Sequence, residues 1–516
     1  MEALLQPLAA EWALVTGITG NVFAPQVLML VLLGTFLGIL VGTIPGLTAT
    51  MTLALLVGLT YGLGFNSAIA MLIGIFVGAI YGGCIASIMI NIPGTPSAAA
   101  AALDGFPLAK QGKGGLAIGV GTLTSFFGML FGILCMILIT PLVLRLALMM
   151  GAWEFFLLAI LGITLCGTLS SSSQETAIKG WMVGFLGLFI TTVGLDPIYA
   201  TPRFTFGHVQ LMGGIALVPA LIGAFGISEV LMVLKEQVPY EITMRTGKII
   251  PGMKQTLRLL PTAIRSGIIG VFVGAVPGAG EDISAWVSYG IAKKRSKHEE
   301  EFGKGSYEGI AAAETGNNAA ISGTLIPIIT LAIPGSGASA MILAAMIIHG
   351  IRPGPMLPLE HPGFTYHLAL LLVIASVAML IFGLALAKGL VYLLTAPRQI
   401  LMPIIVVVCA IGAYASSFRA FDIRVMVMIG IVCYVLREMK YPIAPLALGV
   451  VLGPMADSEF RRAMLSSRGD LTAVFSRPIA LVILLVIVLT LLLSSGVVME
   501  KIRAAARRVR RKRARP

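Results

Sequence analysis

The sequence predicts an all-α fold, a polytopic transmembrane helical bundle with two inverted-topology repeats, each containing Pro-Gly-broken helices or re-entrant hairpins. Three observations carry this. Hydrophobic residues make up 57% of the 516 and charged residues only 11%, and many apolar runs reach the roughly 20 residues needed to cross a bilayer. The segment GILVGTIPG at Gly38–Gly46 recurs as GVFVGAVPG at Gly270–Gly278. Each copy is followed by a second apolar tip, Ile92-Pro93-Gly94-Thr95 and Ile333-Pro334-Gly335-Ser336. A helix broken inside hydrocarbon leaves backbone N–H and C=O groups unpaired. Such breaks persist where protein or a watery cavity satisfies them, and paired breaks in two halves point to a transporter's binding site.

In chain order, residues 1–24 form an N-terminal interfacial segment with Glu2 and Glu11, and no Lys or Arg precedes the first apolar run, so no cleavable signal peptide is expected. Transmembrane repeat 1 spans 25–235, with apolar segments over 25–45, 48–63, 67–92, 114–145, 153–169, 178–195 and 211–234. A basic amphipathic connection covers 236–265. Transmembrane repeat 2 spans 266–455, with segments over 266–292, 308–333, 336–350, 364–395, 399–417, 421–436 and 441–455. A loop and a C-terminal helix occupy 456–498, and a basic tail occupies 499–516. That tail carries Lys501, Arg503, Arg507, Arg508, Arg510, Arg511, Lys512, Arg513 and Arg515, most of the formal charge of +13. It reads as a cytoplasmic anchor facing anionic lipid rather than a nucleic-acid arm.

Charge placement orients the halves. In the first, the loop after the first break, Tyr61–Ser67, is uncharged, while the loop after the second carries Lys110 and Lys113. In the second half the order reverses: Lys293, Lys294, Arg295, Lys297 and Lys304 follow the first break, and Gly350–Gly363 has only Arg352 against Glu360. Because positive loops favour the cytoplasm, the repeats are expected to insert oppositely, with their four breaks converging near the midplane. Gly38, Gly42, Pro45 and Gly46 match Gly270, Gly274, Pro277 and Gly278, four-residue ladders that let helices approach closely before each break.

The tips are rich in small hydroxyl and amide groups: Thr48, Thr50, Asn91, Thr95 and Ser97 in the first half, Ser284, Asn317, Asn318, Thr324, Ser336 and Ser339 in the second. Half-helix N-termini offer free N–H groups and partial positive charge, and hydroxyl and amide groups add donors without buried Lys or Arg. A carboxylate suits such a site, although the same residues can simply cap broken helices. Glu281 and Asp282 follow the second-half break and Glu314 precedes the Asn pair, which makes them the candidates for coordinating Na⁺ or relaying H⁺, against a plainer reading as helix caps or ion-pair partners. Glu154, Glu175, Asp196 and Glu229 are expected near helix ends.

Chemistry of other kinds finds little support. No phosphate-binding loop, nucleophile elbow or zinc-protease motif occurs, and the five histidines lack ligand spacing. The five cysteines lie singly in apolar segments and read as packers, with no disulfide and no metal expected. Ser170-Ser171-Ser172-Ser173 reads as a loop.

The stretches GTIPGLTATMTLAL (42–55), YGGCIASIMINIPGTPSAAAAALDGFPLAKQGKGG (81–115), VPGAGEDISAWVSYGIAKKRSKHEEEFGKGSYEGIAAAETGNNAA (276–320) and GTLIPIITLAIPGSGASAMILAA (323–345) resemble the large membrane subunit of the tripartite tricarboxylate transporters, the TctA family. The likeness covers about 15–470. It implies uptake of di- or tricarboxylates across a bacterial inner membrane, driven by an ion gradient, with a small TctB-like membrane subunit and a periplasmic TctC-like binding protein as partners. It also implies substrate contacts at Asn91, Pro93, Gly94, Thr95, Asn317, Asn318, Pro334, Gly335 and Ser336. The resulting expectation is a secondary transporter without cofactor beyond Na⁺ or H⁺, working by alternating access, elevator-like or rocking, with its C-terminus cytoplasmic. The rivals are a polytopic membrane enzyme acting on a lipid or anionic substrate, which would need a titratable cluster at an interface, and a channel.

Overall fold

The computed structural model describes residues 19–44, 46–91, 94–169, 174–196, 198–235, 247–393 and 398–494. Pro45, Pro93, the 170–173 serine run and the basic tail over 499–516 lie outside the described residues. Apart from a two-residue antiparallel pairing of Gly194–Leu195 with Pro202–Arg203, regular structure among the described residues is helical. Seven of these helices are long and apolar enough to cross a membrane, so the chain is a multi-pass membrane protein.

The chain forms two compact units that cut across the sequence halves. One comprises 1–148 and 216–434, the other 149–215 and 435–516. In the first unit the helices are α1 (Pro25–Thr43), α2 (Ala49–Val57), α3 (Phe65–Ile90), α4 (Ala98–Lys110) and α5 (Gly114–Ala147) from the first half. After α6 and α7 of the other unit come α8 (Leu217–Lys235), α9 (Met253–Gly274), α10 (Gly280–Arg295), α11 (Tyr307–Leu331), α12 (Gly337–Ile348), α13 (Phe364–Ala385), α14 (Arg398–Ala415) and α15 (Ala420–Glu438). Helix α4 arises from the Ala98–Ala102 run, a strong helix former that hydropathy alone passes over. Helix α9 starts at Met253, inside the stretch read from sequence as a connection, because the apolar residues at 257, 260, 264 and 268 already keep helical period.

Matching segments of the two halves pack alike. Helix α1 lies against α3, and α9 against α11. Glycine makes both contacts possible. A Cβ built on Gly38 would lie 2.5 Å from the Ile75 carbonyl oxygen, and those of Gly34, Gly42, Gly74 and Gly78 would strike facing backbone as closely or nearly so. On the other pair, Gly270 faces the Gly316 carbonyl oxygen at 2.5 Å and Gly274 that of Ala320 at 2.6 Å. Between apolar helices in lipid, close backbone approach substitutes dispersion for the missing hydrophobic drive.

The remaining helices cross over between the halves. The short α4 packs on α10 and α11, and the short α12 packs on α2 and α3; the long α5 lies on α11 and α9, and α13 on α3 and α1. Each half therefore closes its partner's hairpin.

The second unit holds α6 (Ala152–Leu169), α7 (Gln174–Thr191), α16 (Ala444–Ser466) and α17 (Pro478–Ser494), with α16 packed on α6 and α7. Glu154, in the first turn of α6, accepts from Arg477 at 2.7 Å and from the Gly151 N–H at 2.9 Å. Asp196 accepts from the Tyr199 and Ile198 N–H groups at 2.9 Å and pairs with Arg461 at 2.7 Å, while Arg203 bridges it to Asp457. The Tyr199 N–H above all, then the Ile198 N–H and the two guanidinium groups, hold the Asp196 carboxyl below its ordinary range despite burial. Glu154 and Glu175 each sit in a helix's first turn, where the dipole favours them, and Glu229 lies in the last two turns of α8.

Two outcomes follow. Gly78→Val should lower the thermal midpoint measured in detergent, by about 1–3 kcal/mol of stability or outright loss of folded protein, whereas Gly62→Ala, which meets nothing within 4 Å, should leave it unchanged. Because the folded Asp196 carboxyl is depressed, its contribution is present above the unfolded value of about 3.9 and fades as pH falls through the folded one. Asp196→Asn should therefore lower the midpoint at neutral pH and converge with wild type in acid.

Candidate functional site

Each half turns sharply at two places, and the chain pays for neither with a bulky side chain. After α1 the backbone extends at Ile44 and turns at Gly46 with φ +89°; after α9 it turns at Gly278 with φ +78° and Gly280 with φ +49°. Helix α3 ends at Asn91 with φ 55° and α11 at Ala332 with φ 58°. Asn tolerates the left-handed conformation; Ala is strained there, and strain of this kind persists where surrounding structure fixes it.

The four breaks come together. Gly94 sits so close to the end of α1 that a Cβ would lie 2.7 Å from the Gly42 carbonyl oxygen and 3.3 Å from Gly83 Cα. Gly335 abuts the Gly274 carbonyl oxygen and Thr324 in the same way, and Gly83 and Thr324 hold the same place relative to their tips. Gly337, opening α12, lies against Thr50 in the first turn of α2.

Two adjacent carboxylates at the start of α10 tie the tips together. Ser336 caps α12 in a reciprocal box, its Oγ accepting from the Ser339 N–H at 3.1 Å while Ser339 Oγ accepts from the Ser336 N–H at 2.9 Å. The Ser336 hydroxyl donates to Glu281 Oε1 at 3.0 Å. The next residue, Asp282, accepts at Oδ1 from the Ser97 N–H at 3.0 Å, at the head of α4. Thr95 and Ser97 hydroxyls share a bond of 2.8 Å, Thr95 Oγ1 accepts from the Ala98 N–H at 3.3 Å, and Trp286 Nε1 donates to the Pro96 carbonyl at 3.2 Å. One carboxylate thus serves the short helix of each half, at the end where the dipole and free N–H groups attract anions. Glu281 is 3% exposed and its Oε2 has no protein partner.

A second polar cluster lies between α5 and α11. Ser125 donates to Glu314 Oε2 at 3.0 Å, and Asn318 Nδ2 donates to Ser125 Oγ and to the Glu314 carbonyl, both at 2.9 Å. Glu314, Asn317 and Asn318 are fully buried, yet Glu314 Oε1, Asn318 Oδ1 and both polar atoms of Asn317 have no protein partner. Buried polar atoms in that state are uncommon. Gly121 opens the space, since a Cβ there would lie 2.9 Å from Cys84 Sγ and 3.8 Å from Glu314 Cγ.

Of the residues singled out from sequence, Gly94, Thr95, Ser97, Glu281, Asp282, Gly335 and Ser336 meet at the tips. Glu314 and Asn318 join Ser125 in the other cluster, and Asn317 is buried on the same helix without a hydrogen-bond partner. Thr48 caps α2 by accepting from the Met51 N–H at 3.2 Å, and Pro334 is buried behind its tip. Sequence reading missed Ser125, a hydroxyl in an apolar helix that nothing local distinguishes. It also missed Asp104, whose Oδ1 accepts from the N–H groups of Gly303, Gly305 and Ser306 at 2.7–3.0 Å and so fastens α4 to the loop before α11. An aspartate just after the Ala98–Ala102 run, in a mostly apolar helix, was the available signal. Among the described residues no group of three or more His, Cys, Asp or Glu could hold a metal ion.

The chain is 36% identical over 448 residues to an uncharacterized 52.8 kDa protein from the TAR-I ttuC' 3' region of Agrobacterium vitis, covering 87% of this chain and 89% of that one. It is 38% identical over 211 residues to an uncharacterized protein from the TAR-II ttuC' 3' region of the same organism, covering 41% of this chain and 87% of that one. No solved structure matches. The model of the tripartite tricarboxylate transporter TctA family matches residues 28–448, through both glycine ladders, both tips and both polar clusters, and the chain belongs to that family.

Proposed function

We propose that this chain is the transport subunit of a binding-protein-dependent uptake system, moving di- or tricarboxylate anions across a bacterial inner membrane by alternating access and driven by a Na⁺ or H⁺ gradient. The observation that carries the reading is the pair Glu281 and Asp282, which place the chain's own carboxylates at the N-terminal ends of α4 and α12. A site that holds an internal carboxylate against helix N–H groups has the chemistry to hold a substrate's. The substrate anion takes the Ser97 N–H and Ser336 hydroxyl from Asp282 and Glu281, and the two released carboxylates must then be neutralised by a proton or a cation. Such an exchange links anion binding to cation uptake.

Glu314, with Asn318 and Ser125, is the second coupling group, because a lone buried carboxylate with an unpartnered oxygen tolerates the interior only when neutralised. The crossed packing of the halves and the reversed charge of their loops support oppositely inserted repeats that open alternately, and an elevator-like shift of the tip-bearing helices is compatible with this. A small TctB-like membrane subunit and a periplasmic TctC-like binding protein complete the system, in keeping with the family description. Positive loops and the basic tail favour a cytoplasmic C-terminus.

Radiolabelled citrate or succinate should accumulate in vesicles containing this chain, its small subunit and the binding protein, and accumulation that survives collapse of both the Na⁺ and H⁺ gradients would overturn coupling. Glu314→Gln should keep the fold and abolish dependence on the gradient while exchange of labelled for unlabelled substrate continues. Ser336→Ala, which removes the hydroxyl now given to Glu281, should weaken substrate affinity by about tenfold, from roughly 1.5 kcal/mol of charge-assisted hydrogen bonding, and should lower the thermal midpoint of the free protein by about 1 kcal/mol because it also removes the cap of α12; unaltered affinity would remove the tips from the site.

A further inference from the structure

Away from the tips, we propose that a cationic cleft at the start of α9 binds the phosphate headgroup of an anionic phospholipid. The cleft has a volume of about 1080 Å³ and lies between the first turns of α9 and the loop joining α10 to α11. Five permanent cations line it, Lys254, Arg258, Arg265, Arg295 and Lys297, against two carboxylates, Glu301 and Glu308. Glu308 is already engaged: it accepts from the Thr262 hydroxyl at 2.6 Å and the Ser296 hydroxyl at 2.7 Å, with Arg265 at 3.8 Å. Lys254, Arg258, Arg295 and Lys297 are exposed and make no ion pair among the described residues.

A topology signal requires only positive charge in a loop. It does not require a cavity of this size with its central carboxylate tied back by two hydroxyl groups, leaving the cations to face an empty space. That arrangement suits a phosphate, which arginine recognises through paired N–H groups.

The source of the phosphate follows from what borders the cleft. Met253, Leu257, Leu260 and Ile264 lie along one face of α9 and are 75%, 59%, 38% and 41% exposed. They run beside Lys254, Arg258 and Arg265, so each turn carries a cation towards the cleft and an apolar side chain alongside it. A headgroup held by the arginines can lay its acyl chains on that stripe. A soluble phosphate compound has no use for it.

The test uses the purified full-length protein incubated with equal amounts of phosphatidylglycerol, phosphatidylethanolamine and phosphatidylcholine, with bound lipid read by native mass spectrometry. Phosphatidylglycerol should be retained preferentially, and Arg258→Gln with Arg295→Gln should reduce that preference by about fivefold per cation removed. Lys113→Ala, outside the cleft, should preserve it. A monodisperse elution profile of the double variant establishes folding; should it fail, each single variant is read in the same way. Equal retention of the three lipids, or a preference untouched by the arginine changes, would overturn the proposal. Inorganic phosphate alone displacing the lipid and raising the thermal midpoint as much as the lipid does would assign the cleft to a soluble ligand and overturn the lipid source.

Discussion

Backbone satisfaction inside an apolar interior is the constraint from which the architecture follows. A helix that stops within a bundle exposes carbonyl and N–H groups that no water can reach, and each one left unpaired is costly. Here the interruptions are stacked so that backbone meets backbone. The Gly94 and Gly335 positions press onto the carbonyl ends of α1 and α9, and the Ser97 N–H and Ser336 hydroxyl reach Asp282 and Glu281. Glycine is required because any Cβ would fill the space that the facing strand of backbone occupies. Pro-Gly punctuation and glycine ladders are therefore parts of one device, in which the ladder brings a helix pair close enough for a break in one segment to be covered by the end of another.

The crossed arrangement of the halves gives that device its chemistry. Were each half to close on its own tip, the two short helices would point their N-terminal ends into separate interiors. Because α4 packs on α10 and α11, and α12 on α2 and α3, both ends converge on one turn of α10. Two neighbouring carboxylates of the second half can then serve the short helix of each half. The same crossing carries α5 onto α11, so the Glu314 cluster draws Ser125 from one half and Asn318 from the other.

Much of this was legible in the sequence, and the reason is periodicity. Repeated GxxxG steps and Pro-Gly breaks are local signals, and they marked the helix pairs and the tips. Residues that act across the halves were harder to read. Glu281 and Asp282 stood out because acids are rare in apolar surroundings, yet their division of labour between two helices depends on tertiary crossing. Ser125 and Asp104 gave no periodic signal, since one is a hydroxyl among hydroxyls and the other caps a loop roughly two hundred positions away in the chain. Helix α4 escaped hydropathy because alanine is a strong helix former but only weakly apolar. The compact units escaped it as well, because they join residues 149–215 to 435–516.

Asn317 offers the sharpest view of what the interior is arranged to do. It is fully buried with both polar side-chain atoms unpartnered, beside Asn318 and one turn from Glu314. An interior tuned for stability alone would place leucine or alanine there, as α11 does at Ala312, Ala313, Ala319 and Ala320. Helix α11 instead presents an amide, an amide and a carboxylate within two turns, facing small neighbours such as Gly121 that leave room around them. Polar groups kept dry and only partly satisfied are uncommon in a folded interior, and each costs stability that an apolar side chain would not. The Ser288 and Ser322 hydroxyls on α10 and α11 are likewise buried without hydrogen-bond partners.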